Sequence, residues 1–523
     1  MTKHIGFLLL IGSLFPSWGF AQSQASIQLV DNYNEWGWSS WVMDNGIITI
    51  ATVPEIGAKI MQYDLGTHSS MFVNPDEVGK TYTPQSNSSW PNFGGFKNWP
   101  APQSRWNWPP PPTLDFGSYE AISESSGDTV SLTVTSQIEQ WRSPDLRFKR
   151  KTSLFTGTSR VQVQQTIINE ANMAQEWSMW DVTQNITNHP GEEDFDNFRV
   201  YFPINPDSEY GSDGVRTSAG SNAWLGEVAD GIYGVQFRPE SKKIFADSHL
   251  GWIAYVDERE GYMYAKTFDI DESAEYPDDG ARVEVWINAD PYYLEVEVLS
   301  PIINIPANGG SYTFTEDWWA AKINGGPVLA VNETGAITKF EYQEAIGRLS
   351  ASFGIFHDAY ARLEYLDSDG LIVTATDTIK VTPLEVFNYD EPFSPLDNVD
   401  SVRMALVDSD LNHIGVLITQ SIETLLTSNE TMDENPDEFT LSQNYPNPFN
   451  PSTNIEFSIP SGSQVSLVVF NALGQKVATL VDSRLSSGSH NATWDASTAP
   501  SGIYFYQLKT SGFIQSRKML LIK

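Results

Sequence analysis

Apolar and polar positions alternate at period two along most of this chain. Gly46–Val53, Val130–Ser136, Leu146–Phe155, Arg160–Asn169 and Trp177–Thr183 read as half-buried or fully buried strands. So do Ile232–Phe237, Gly251–Val256, Met263–Asp269, Val283–Asn288 and Tyr293–Leu299, all rich in β-branched and aromatic residues. Helical periodicity is nearly absent between residues 27 and 323. Such a run of strands predicts two large stacked antiparallel sheets. After Gly325–Pro327 the pattern resumes from Ala330 to Ile422, with turn chemistry at Asp367–Gly370 and Asp408–Asn412. This predicts a smaller β-sandwich over 328–426, serving as a lid or a spacer. The polar, acidic stretch 427–438 reads as a linker. Beyond it, Thr453–Ile459, Gln464–Phe470, Lys476–Val481, His490–Trp494 and Ile503–Thr510 alternate again, predicting a last small sandwich over 439–523. The expected class is all-β.

Composition narrows the chemistry. The 523 residues carry 31 Lys and Arg against 66 Asp and Glu, a net charge of −35. Such a surface repels phosphate backbones, so nucleic acid is not an expected partner. The absence of cysteine excludes disulfides, zinc–thiolate sites, iron–sulfur clusters and thiol nucleophiles. The acid excess is also uneven. Over 439–523 the bases Lys476, Arg484, Lys509, Arg517, Lys518 and Lys523 outnumber Glu456, Asp482 and Asp495. A charge reversal of this kind marks a domain with a separate task. At the other end, residues 1–21 have the pattern of a secretory signal peptide: Lys3 and His4, the apolar run Ile5–Leu14, then small Gly19 and Ala21. No later run is long and apolar enough for a membrane span.

The conspicuous segment is Trp90–Tyr119, WPNFGGFKNWPAPQSRWNWPPPPTLDFGSY. Its prolines fix φ and remove donors, so it is expected to hold neither helix nor central strand. A stiff loop would then present Trp90, Trp99, Trp106 and Trp108. Flat rings flanked by polar groups suit a sugar, whose C–H face stacks while its hydroxyls bond to neighbours. The same rings would equally plug one end of a sandwich. Candidate substrate contacts are Trp99, Gln103, Trp106, Trp180, Gln184 and Glu120; candidate catalytic groups are Lys97, Lys266, Glu295 and Glu297. Lys97 either meets a carboxylate or hydroxyl of the substrate or snorkels along Trp99. Glu284, Glu295 and Glu297 lie on predicted strands, and the last two share one face by their spacing. Buried, they would have raised pKa values; outside, they are a solvated face. Lys266 is a lone cation within Met263–Phe268, suited to neutralising a buried acid or an acidic substrate. His189 falls in an expected exposed hairpin. Asp269, Asp271, Glu272, Glu275, Asp278 and Asp279 crowd one loop, read as solvated, with calcium as the alternative. No other cofactor is expected, and neither a glycine-rich phosphate loop nor a nucleophile elbow is present.

Two resemblances extend this reading. LSQNYPNPFNPSTNIEFSIP, VVFNALGQKVATL, SGIYFYQLKTSG and the closing SRKMLLIK resemble, across the whole tail, the type A sorting domain of the type IX secretion system. That implies contact with the secretion machinery, passage through the outer membrane of a Bacteroidota-like bacterium, and surface attachment or release. GGFKNWPAPQ (94–103), WDVTQ (180–184), EYPDDG (275–280) and YLEVEVLSP (293–301) resemble an uncharacterised bacterial family with a galactose-mutarotase-like, aldose-epimerase-like supersandwich. The resemblance covers 27–325, with Glu316–Trp319 similar to the closing strand. An aldose mutarotase pairs a carboxylate base with a histidine acid. Here Phe96 and Lys97, and Thr183 and Gln184, stand where its histidines would be. The expectation is an exported carbohydrate-binding or carbohydrate-active protein, with a mono- or polysaccharide as partner. The alternatives are a sugar epimerase or uronate-polymer lyase, and an adhesive surface protein.

Overall fold

The computed structural model describes residues 24–523 apart from 189–194, 212, 219, 397, 428–439, 445, 460–462, 486–487 and 511–512. The signal-peptide segment 1–21, His189 and nearly all of the 427–438 linker lie outside the described residues. The chain divides into two compact units, one reaching Ile422 and the other Glu423–Lys523. In the first, a 12-stranded and a 10-stranded antiparallel sheet stack. One apolar core lies between them, to which Ile60, Phe96 and Val296 contribute from one sheet and Val163, Tyr255 and Trp318 from the other.

The alternation in the sequence reports these strands well. Leu146–Phe155 and Val161–Asn169 form as expected, and the latter buries every second residue along its length. Gln175–Asn185 is different: all but its first two residues are buried, because the core covers one face and an aromatic wall the other. Phe96–Ala101 corrects the expectation that the tryptophan-rich segment contains no central strand. It lies between Lys59–Leu65 and Gln175–Asn185. It pairs with the latter from Phe96↔Thr183 to Ala101↔Ser178, but with the former only at Ile60↔Phe96 among the described residues. Pro100 thus stands beside an edge with no ladder partner, and its missing N–H breaks no bond. A single helical turn, Pro112–Asp115, follows.

The smaller sandwich of this unit combines a 4-stranded sheet, from Ala330–Val331 to Phe387–Pro392, with a 5-stranded one that includes Ala359–Leu366 and His413–Ser421. It seats on the outer face of the ten-stranded sheet. There Phe356 stacks on Trp319 at 4.9 Å within a core shared with Tyr201, Trp252 and Met263. The second unit contains sheets of 3 and 4 strands closed by Ile514–Leu521, around Ile455, Val465, Val469, Trp494 and Tyr506. Among the described residues no helix is long and apolar enough to cross a membrane.

Candidate functional site

Strand register decides which side chains meet on the outer face of the twelve-stranded sheet. Consecutive neighbours there are Phe96–Ala101, Gln175–Asn185, Tyr292–Leu299, Val283–Ala289 and Lys242–Ala246. Their pairing aligns Lys97, Val182, Glu297, Glu284 and Phe245 in one row. Gln184, Glu295, Trp286 and Lys243 form the next. Side chains alternate along a strand, so Asp181 and Thr183 turn inward, to Lys266 and Tyr264 of the other sheet.

A cleft of about 430 Å³ opens on this outer face, within the usual range for ligand pockets of about 300–1,000 Å³. Trp90, Trp99, Trp108, Trp180 and Trp286 wall it, and Lys243, Asp278, Glu284 and Glu295 supply its charges. The small sandwich covers the other sheet, so it is no lid over this cleft. The indoles brace one another edge to face: Trp99 lies 5.1 Å from Trp180 and 6.0 Å from Trp108, and Trp90 lies 5.0 Å from Trp108. The Trp99 Nε1–H donates to Asp115 Oδ1 at 2.8 Å, and Lys59 Nζ pairs with the same oxygen at 3.1 Å. Trp108 is the rim, 51% exposed.

Lys243 is the electrostatic hub. Its Nζ donates to Glu284 Oε2 at 2.6 Å and to Glu297 Oε1 and Oε2 at 2.7 and 2.6 Å. The Trp180 Nε1–H donates to Glu297 Oε2 at 2.7 Å. Burial alone would lower the Lys243 ammonium, but Glu284 and Glu297 reverse this and hold it above the ordinary lysine value. Burial pushes Glu284 up to about 8 against the pull of Lys243, with Glu297 and Asp278 adding to the rise. Glu295 is also raised by burial, against Lys97. Its Oε1 accepts from Lys97 Nζ at 3.4 Å and from Gln184 Nε2 at 2.8 Å. Lys97, lowered by burial, sits behind it with the Trp90 and Trp99 ring centroids at 5.8 and 5.4 Å.

A carboxyl raised from 4.5 to about 8 keeps a proton that the unfolded chain has already released. Glu284 therefore subtracts stability as pH climbs through that window. Glu284→Gln is expected to flatten the fall in urea midpoint between about pH 5 and about pH 8. An unchanged slope would assign the titration to another group.

The remaining wall is the turn Pro277–Gly280, where Asp278 and Asp279 both adopt left-handed backbone, with φ 53° and 65°. Aspartate tolerates this region better than most residues, and here two in succession are held from outside. Arg216 Nη2 and Tyr210 Oη each donate to the Asp278 carbonyl at 2.8 Å, and Arg216 Nη1 pairs with Asp279 Oδ2 at 3.0 Å. The acidic run thereby divides: Asp278 lines the cleft, Asp279 takes Arg216, and Asp271 accepts from Ser273. Among the described residues no group of three or more His, Asp or Glu is spaced to hold a metal ion.

Of the residues singled out from sequence, Trp99, Gln103, Trp180 and Glu295 line the cleft. Lys97, Gln184 and Glu297 form the layer behind it. Three do not join them. Lys266 is fully buried between the two sheets against Asp181, because its parity points it into the core. Glu120 is exposed on Glu120–Ser126, at the far edge of the ten-stranded sheet. Trp106 packs beneath the loop, its Nε1–H donating to the Pro100 carbonyl at 2.7 Å. Plug and platform thus coexist, in different tryptophans. Sequence reasoning missed Lys243 and Trp286 and left Glu284 and Asp278 outside the site. Lys243, next to Lys242, looks like an ordinary strand-edge lysine and gives no local signal. Trp286 shares parity with Glu284, a signal that was available.

Residues 443–523 match the family model described as a secretion system C-terminal sorting domain. This tail engages the type IX secretion machinery and directs the chain through the outer membrane, to the cell surface or beyond. Among curated proteins, none matches the chain. Similar solved structures include the Slr1438 protein from Synechocystis sp. PCC 6803, at 10% identity and TM-score 0.38, covering 58% of this chain and 99% of that one. A galactose mutarotase-like protein from Clostridium acetobutylicum gives the same identity, coverage and TM-score, 10%, 58%, 99% and 0.38. One from Lactobacillus casei ATCC 334 gives 9% identity, 56% and 100% coverage and TM-score 0.36. At such depths the likeness says nothing of this chain's chemistry.

Proposed function

We propose that this exported protein binds a saccharide in the cleft on the outer face of its twelve-stranded sheet. The observation that carries the reading is the company the indoles keep: five tryptophans wall a cavity whose remaining lining includes carboxylates, an ammonium and the amide of Gln103. Sugar rings offer a C–H face to aromatic carbon and hydroxyls to such groups at the ring edge. The edge-to-face bracing leaves little side-chain motion to freeze on binding, which favours affinity.

The reading is tested by a glycan array followed by titration of the retained glycan. Trp108→Ala is expected to weaken binding at least about tenfold, or about 1.4 kcal/mol. Because Trp108 is 51% exposed, the melting temperature should barely move. Full affinity in Trp108→Ala, or no retained glycan for the parent protein, defeats the reading.

One observation favours a second, catalytic reading. Glu284, pushed up to about 8, holds a proton at neutral pH while Asp278 and Glu295 line the same cleft. A proton donor and proton acceptors around one ligand are what ring opening or epimerisation requires. Faster exchange between anomers in NMR spectra of a bound sugar supports it; exchange at the buffer rate removes it.

A further inference from the structure

We infer that the saccharide taken by this cleft is an amino sugar, held by its protonated amine between Glu284 and Asp278. This rests on the saccharide reading and narrows it to a substrate class. Three carboxylates, those of Asp278, Glu284 and Glu295, line the cleft against one ammonium, Lys243. That ammonium is already engaged with Glu284 Oε2 and with both oxygens of Glu297. Lys97 is turned to Glu295 from behind, and Arg216 to Asp279 and the Asp278 carbonyl. The cleft is therefore short of positive charge.

The deficit has a location. Glu284 is 2% exposed, and its Oε1 has no hydrogen-bond partner among the described residues. The residue nonetheless lines the cavity, as does Asp278, delivered by its braced turn. Buried carboxylate oxygens normally accept from a donor; here Glu284 lies within hydrogen-bond reach of the Asp278 carboxyl, two acids facing each other across the cleft wall, and a ligand ammonium is a donor that serves both. In its absence a proton serves, consistent with the raised Glu284 and with Asp278 contributing to the rise. The walls also suit a cation: the ring centroids of Trp90, Trp99 and Trp180 already lie 5.8, 5.4 and 5.1 Å from lysine ammonium groups. A uronate would meet the same carboxylates, and among the described residues lining the cleft the one ammonium, Lys243, is already paired. A metal ion is less suited than an organic cation, since no described trio of ligands is spaced for one.

The test is calorimetric titration of the full-length protein at about pH 6 and low salt. The probes are a glucosamine oligomer, its N-acetylated counterpart and a galacturonate oligomer of equal length. The glucosamine oligomer should bind at least about tenfold more tightly than the N-acetylated one, with the preference shrinking as salt screens the pairing. Galacturonate should not bind. Glu284→Gln should bring the ratio of the first two affinities toward one, and Asp278→Asn, in an exposed turn, provides the same readout if the buried change disturbs folding. Equal or tighter binding of the N-acetylated or uronate oligomer overturns the inference and leaves the saccharide reading standing. Binding of neutral glycans on the array with no glucosamine binding does the same. Silence toward every glycan removes both.

Discussion

Lys266→Ala is expected to destabilise the fold by about 3–5 kcal/mol, the usual consequence of leaving one half of a buried ion pair alone. Lys266 and Asp181 are both fully buried between the two large sheets. The ammonium donates to Asp181 Oδ1 and to the Val296 carbonyl at 3.3 Å, over the rings of Phe96 and Trp318. Asp181 Oδ1 also accepts from the Val298 N–H at 3.1 Å. Burial and Asp181 lift neighbouring Glu316 well above the ordinary carboxyl value, so Asp181 is the carboxylate that pairs with the ammonium. Lys266 and Asp181 are thus matched charge to charge, and truncation leaves a fully buried carboxylate with neutral donors, the Val298 N–H and Gln165 Nε2, but no cation. A lower urea midpoint with an unchanged m-value is the expected signature. Adding Asp181→Asn to Lys266→Met, which removes both charges and keeps an acceptor for Val298, should recover most of the loss. A loss below about 1 kcal/mol would mean that solvent reaches the pair. Whatever fraction remains folded should keep the proposed saccharide affinity, since Lys266 does not line the cleft.

Lys243→Met should combine a stability loss of similar size with failure to bind. Glu284 and Glu297 face each other in register, at 2% and 0% exposure, and Lys243 bridges them. Without the ammonium, ionising Glu284 would bury two carboxylates side by side with no cation between them. Burial already raises Glu284, and Lys243 is the group that pulls it down. Removing that pull moves its folded value further above the unfolded one. The variant should therefore be least stable at high pH and regain stability as pH falls and Glu284 takes up its proton. Melting temperatures at about pH 5 and about pH 8 provide the check, with the deficit expected to be larger at pH 8. The proposed saccharide affinity should fall at least about a hundredfold, because Lys243 and its partner Glu284 both line the cleft. A deficit independent of pH would argue that Lys243 acts through packing alone.

Local chemistry made much of this protein legible. Val161–Asn169 alternates strictly because one face meets the core. EYPDDG marks a turn because aspartates in succession favour bends. Pro100 misled, since a proline is excluded from a strand interior only where its nitrogen must donate. The pair Glu295 and Glu297 could be placed on one face by spacing, yet spacing alone left open whether that face is solvent or cleft. Lys266 shows the same ambiguity resolved the other way, toward the core.

From its residues alone, the chain determined its strand-rich character, its C-terminal export signal and the concentration of indoles around residue 99, because propensity, motif and composition are local properties. Only the tertiary structure decided that Lys243, Glu284, Glu297 and Trp180 would meet, since they come from four strands brought together by long-range pairing. A shift of one residue in any of those registers would exchange the outward row for the inward one. The cleft exists because the registers across the sheet agree, and no stretch of sequence contains that agreement by itself.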